Sequence, residues 1–293
     1  MNSVELVRLV DSSWSTSLPH KRLNALQALR VAVPLDLIEL YDALVDGKVA
    51  SVEDNPNSIV LVLVHGIQTD GAWQRLVQAE LHDVPNLNVV GIGYECVTPA
   101  QLVSPFRGTP IAKVTAEMRE IREMDPKARL MVIAHSFGSY IISRILRANR
   151  DIQFERIIFC GSIVPRHFRW GEFARPMSKS SIINDVGTAD FYPVLATFAS
   201  IGYGSSGRLG FQTARVTDRY FPYGHSDFFN AQHVREFWRP FVAEGRIEVS
   251  DWDLKMPKNG IHIMMLSHPW LGRWIIPLVT LLVGWGAYEI AKW

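Results

Sequence analysis

The stretch Ala134-His135-Ser136-Phe137-Gly138 carries the clearest chemical signal in the chain. A serine hydroxyl becomes a useful nucleophile only when a base takes its proton and a tight turn exposes it. Small residues stand two places before and two places after Ser136. The apolar run Leu130–Ala134 precedes it and a helical pattern, Ser139–Ala148, follows. A strand must therefore turn sharply into a helix at the serine, with Oγ projecting above the sheet. This is the G-x-S-x-G elbow with alanine in its first place.

Acyl transfer at such a serine needs two N–H donors aimed at the developing oxyanion, each worth about 3–4 kcal/mol of barrier. Phe137, which follows the nucleophile, supplies the first expected donor. The second is expected at Ile67, in His65-Gly66-Ile67 at the end of the run Ile59–Val64. The serine also needs a base, and nine histidines are available. His65 and His135 belong to the motifs already described. His20 and His82 lie on or beside helices, His167 sits in a basic-aromatic loop, and His233 falls on the last amphipathic helix. His262 and His268 belong to the C-terminal region. His225 remains, in the turn Tyr223-Gly224-His225-Ser226-Asp227. The orienting acid is Asp185 or Asp190, both beyond the apolar stretch at 181–184. No His/Cys/Asp cluster has zinc spacing, and no metal or other cofactor is expected.

These residues must be held by a scaffold. Ile59–Val64, Asn88–Tyr94, Leu130–Ala134, Ile157–Cys160 and Ser181–Asn184 are short apolar runs of the kind a strand buried on both faces requires. Helical periodicity lies between most of them, at Ala72–His82, Ile111–Met124 and Ser139–Ala148, and again at Gln232–Val242. Strands alternating with helices predict an α/β fold with a mostly parallel sheet. Residues 1–57 read as a helical extension interrupted at Pro34, 58–250 as the catalytic domain, and 251–293 as a C-terminal segment. The Gly202–Gly210 stretch reads as a mobile loop.

With its elbow, its strand-His65-Gly66 turn, Gly187-Thr188-Ala189-Asp190 and Gly224-His225-Ser226-Asp227, the chain resembles the α/β-hydrolase superfamily, in its serine esterase and lipase branch, over roughly residues 58–243. The resemblance implies an α/β-hydrolase fold and a triad in the chain order Ser136, Asp190, His225, which favours Asp190 over Asp185. It implies hydrolysis of a carboxylic ester, a small molecule or a lipid, through an acyl-enzyme. A catalytically silent binding or membrane-effector protein, or a peptidase or thioesterase, would use the same scaffold. The stretch between Ile163 and Ser181 is short for an inserted lid. Phe191, Tyr192, Phe198 and Tyr203 are candidates for an apolar acyl channel, or else for core.

Composition narrows the classes further. Of 293 residues, 48% are hydrophobic and 20% charged, which excludes a disordered or fibrous chain. Thirty basic against 29 acidic residues leave a net charge of +1, without the field that gathers nucleic acid. Two cysteines, Cys96 and Cys160, fit a reducing compartment. The acidic start, Met1–Trp14, lacks the basic and apolar regions of a signal peptide. Trp274–Ala291 is apolar and at ~1.5 Å per residue reaches about 27 Å, close to a bilayer core. Trp270, Trp274 and Trp293 flank it as interfacial anchors would. The expectation is a C-terminal transmembrane helix with the catalytic domain in the cytoplasm, against a soluble cytoplasmic alternative.

Overall fold

Continuous apolar sequence forms a strand here where both of its faces are covered. Ile59–Val64 (β1) is buried at every position in the computed structural model, which describes residues 1–16, 22–53, 57–66, 72–93, 107–173, 177, 181–200, 202–253, 259–268 and 271. β1 pairs in parallel with Leu87–Ile92 (β2) on one side and Arg129–His135 (β3) on the other. Arg156–Cys160 (β4), Ile182–Gly187 (β5) and Thr217–Phe221 (β6) extend the sheet, again in parallel, to the order β2-β1-β3-β4-β5-β6.

Alternate residues of β1 face opposite layers, as the two-residue period of a strand demands. Val60, Val62 and Val64 join a cluster with Ile141 and Ile145 of the helix Phe137–Ala148 and with Val114 and Met118 of Gly108–Met124. Ile59, Leu61 and Leu63 join Trp73 and Val77 of the helix Ala72–Glu80 and, across the same face, Trp238 and Phe241. Those last two lie on one continuous helix made of Ala231–His233, the π-helical turn Val234–Trp238 and Arg239–Glu244. Helices on both faces of a parallel sheet place the carboxyl ends of all strands along one edge, where loops are free to carry chemistry. The N-terminal helices Ser3–Thr16, Arg22–Arg30 and Ile38–Glu53 gather a separate apolar cluster around Leu6, Val10, Leu26 and Tyr41. Pro34 sits between the second and third, before a 3-10 turn at Leu35–Leu37.

One strand goes beyond those expected from the sequence, and one sequence expectation is corrected. β6 has no apolar run to announce it, because its central residue is Arg219, buried by an ion pair with Asp185 of β5. The Gly202–Gly210 stretch is not a mobile loop. Tyr203, Ser205, Ser206 and Leu209 are buried, and Ser206–Leu209 forms a helical turn against β5. Its glycines serve close packing: a Cβ at Gly207 would lie 2.2 Å from the amide nitrogen of Ser162. The Gly207 N–H donates to the Ser162 carbonyl, and Asn184 donates to the Ser206 carbonyl. The expected anchor Trp274–Ala291 lies outside the described residues. Among the described residues, no helix is long and apolar enough to cross a membrane.

Candidate active site

β3 ends at His135 and the next helix begins at Phe137, so Ser136 alone turns the chain. Its backbone stands at φ 53° and ψ −120°, a region that costs a non-glycine residue about 1–3 kcal/mol. Surrounding hydrogen bonds hold it there. The Ser136 N–H donates to the Cys160 carbonyl at 3.1 Å, and Ser139 Oγ donates back to the Ser136 carbonyl at 2.5 Å. Ser139 Oγ also accepts the Ile163 N–H, tying the elbow to the loop after β4. Gly138 is required by proximity: a Cβ there would sit 2.4 Å from the Val64 carbonyl oxygen of β1.

The elbow points Ser136 Oγ at His225 Nε2, 2.9 Å away. His225 Nδ1–H donates to Asp190 Oδ2 at 2.8 Å, and this fixes the tautomer that leaves Nε2 as an acceptor toward the serine. The second oxygen of Asp190 accepts the Tyr192 N–H at 3.0 Å, and the carboxylate is buried. The loops carrying Asp190 and His225 are tied to each other below this contact. Thr188 N–H and Oγ1 both donate to the Phe221 carbonyl, and Ala189 N–H donates to that of Tyr223. Asp227 closes the turn around His225 by accepting the Gly224 N–H at 2.8 Å.

Rings enclose the imidazole on two sides. Tyr192 stacks on His225 with centroids 4.7 Å apart, and His135 lies on another side at 4.6 Å. Burial above all, with the charge of His225 second, holds His135 well below the usual histidine range. Nothing in the sequence singles out His135, Tyr192 or Asp227 for these parts.

Phe137 opens its helix, and first-turn amides point out of the N-terminal end, toward the side where Ser136 turns. Ile67 lies outside the described residues. The glycine before it, Gly66, stands close to Ser136: a Cβ there would be 2.8 Å from Ser136 Cβ and 3.3 Å from its Oγ.

Asp185 points elsewhere. Its carboxylate takes both Arg219 Nε and Nη2, at 2.7 and 3.0 Å, together with His233 Nε2–H at 3.0 Å and the Trp238 indole at 2.7 Å. Burial pushes this carboxyl up most strongly, but the Arg219 charge and the donors from His233 and Arg219 outweigh it, leaving it at about 2. The aromatic residues considered for an acyl channel divide. Phe191 and Tyr192 are exposed, Tyr192 against His225, while Phe198 is half-buried and Tyr203 is buried against Tyr140 and Phe137. Among the described residues, no group of three His, Cys, Asp or Glu side chains is placed to hold a metal ion.

Sheet order, elbow and strand-end loops together make this the architecture of the α/β-hydrolase fold. No family model matches the chain, and no curated protein does. Among solved structures it is similar to a lidless α/β serine hydrolase from Xanthomonas campestris, at 16% identity over 69% of this chain and 84% of that one, with a TM-score of 0.41. It is also similar to lipase B of Aspergillus fumigatus, at 13% identity over 75% of this chain and 62% of that one, with a TM-score of 0.44. A third is a poly(3-hydroxybutyrate) depolymerase from Bordetella parapertussis, at 14% identity over 73% and 84%, with a TM-score of 0.40.

Proposed function

We propose that this chain is a serine hydrolase that cleaves a carboxylic ester through Ser136, His225 and Asp190. One observation carries the reading: Ser136 Oγ stands 2.9 Å from His225 Nε2, and His225 Nδ1 stands 2.8 Å from Asp190 Oδ2. Both separations lie within direct proton-transfer reach. Oγ attacks the ester carbonyl carbon as its proton passes to His225 Nε2. The carbonyl oxygen becomes an oxyanion stabilised by the N–H groups of Phe137 and Ile67. The imidazolium gives its proton to the departing alkoxide, which leaves as the alcohol and strands the acyl group on Ser136. Water, deprotonated by His225, then attacks the acyl carbon, and Oγ departs with the proton returned to it. Asp190 accepts from Nδ1–H throughout and so keeps Nε2 facing the serine.

The apolar 274–291 segment supports a finer reading, an acyl ester met at a membrane surface. Recovery of the full-length protein in the soluble fraction without detergent would remove that part and leave the triad standing.

The central test is labelling by a fluorophosphonate probe, with turnover of p-nitrophenyl esters of increasing chain length beside a peptide and a thioester. Ser136→Ala should abolish labelling and lower ester turnover by about 10⁴-fold or more. A folded chain that neither labels nor hydrolyses any of the three substrate types would overturn the proposal and favour a binding role.

A further inference from the structure

We infer that His135 is a positioning residue for His225, a role that rests on reading Ser136, His225 and Asp190 as a catalytic triad. The base sits on a surface turn: Ser226 and Asp227 beside it are exposed. A turn residue serves poorly as a base unless its backbone is held, because an ångström of drift at the imidazole breaks the near-attack geometry. His135 is buried at the rigid end of the central strand β3. Its Nε2 lies 2.9 Å from the backbone carbonyl oxygen of His225 itself. Since the carbonyl only accepts, Nε2–H is the donor, and the turn carrying the base is thereby pinned to the strand carrying the nucleophile.

The surroundings fit this task. His225 and His135 belong to a column of rings that runs from exposed Tyr192 through His225, His135 and Phe229 to buried Trp73, with successive centroids 4.7, 4.6, 4.8 and 4.6 Å apart. Gly161 lies where the two imidazoles converge. At φ +55°, a Cβ there would meet His225 Nδ1 and Cε1 at 2.9 Å and His135 Nε2 at 3.1 Å. Among the described residues, His135 Nδ1 is buried with no hydrogen-bond partner, so the position carries a polar atom at a cost that an apolar side chain would avoid. Retaining imidazole there is explained by the donor on its other nitrogen. Neutrality matters too, because His225 becomes a cation during turnover. A second cation in contact would oppose that step, and burial keeps His135 uncharged.

The test uses the full chain carrying H135F, H135Q or H135N, with S136A as control. Folding is checked by circular dichroism, and kcat and KM are measured on one p-nitrophenyl ester. Phenylalanine keeps ring volume but removes the donor. The glutamine amide reaches the place of Nε2, whereas asparagine is one carbon too short. H135F and H135N should lose about 10–100-fold in kcat, the size of one buried hydrogen bond, with KM within about twofold. H135Q should recover to within about fivefold of the parent. H135F with parental kcat, or folded H135Q no better than H135N, would overturn the inference while the triad stands. A parent chain that fails to label with fluorophosphonate would overturn both.

Discussion

Asp190 has two hydrogen-bonding duties, one toward His225 Nδ1–H and one toward the Tyr192 N–H. In Asp190→Asn the amide oxygen still satisfies Tyr192, but its NH₂ then faces Nδ1. The ring must take the other tautomer, with a proton on Nε2 where the serine proton should go. Ester turnover is expected to fall by roughly 10³–10⁴-fold with little change in the circular dichroism spectrum. Asp185→Asn makes the contrasting case. It leaves a buried arginine facing an amide, and loss of one partner of a buried pair costs about 3–5 kcal/mol. The melting temperature should drop markedly, while kcat measured below the melt stays within a few-fold of the parent. Together the two variants distinguish an acid that serves the base from an acid that serves the core.

The elbow depends on elements meeting closely, and its glycines report where they meet. At Gly138 the obstacle to a methyl group is the backbone of β1, which cannot swing aside as a side chain can. Gly138→Ala should therefore destabilise the chain by at least about 2 kcal/mol, seen as a lower denaturation midpoint together with loss of fluorophosphonate labelling. A different bond network holds β5, β6 and the closing helix. Asp185 of β5, Arg219 of β6, and His233 and Trp238 of the helix share one carboxylate. This junction lies below the loops that carry Asp190 and His225, so the strands set the spacing of those loops. It also explains why β6 carries no apolar strand pattern. A strand pattern depends on apolar residues, and here burial is achieved by charge pairing.

Across the whole molecule, stability should depend on pH in a direction set by buried groups. His135 is held well below its ordinary 6.5, first by burial and then by the neighbouring charge of His225. The unfolded chain therefore takes up a proton near 6.5 that the folded chain refuses, and this stabilisation is complete above about 6.5 and lost as the pH falls below it. Asp185, at about 2 against 3.8, contributes a further ~2 kcal/mol that persists above about 4 and is lost toward pH 2. Asp218 and Asp253, raised chiefly by burial, act in the opposite sense close to the ordinary carboxylate range. On the alkaline side, burial above all raises the Cys160 thiol, so stability should also fall as the pH climbs past 9.0. Melting temperature is expected to decline from pH 7 to pH 5, and H135F should flatten that decline. An unchanged slope in H135F would place the acid-sensitive group elsewhere.

Much of this was legible in the amino-acid order because its causes are local. Apolar runs such as Ile59–Val64 reveal doubly buried strands, and small residues around Ser136 reveal a tight strand-to-helix turn. These signals depend only on neighbours within a few positions. Which carboxylate meets which imidazole is a different kind of question. Asp185 and Asp190 are both plausible acids by position, and they are separated by where β5 ends relative to the turn after β6, a contact 35 residues apart in sequence for Asp190 and His225. The packing of tilted His135 against His225, and the burial of Arg219 within a strand, likewise arise only when distant segments close on one another. Short-range chemistry wrote the elements into the sequence, and long-range packing decided which side chains face each other across them.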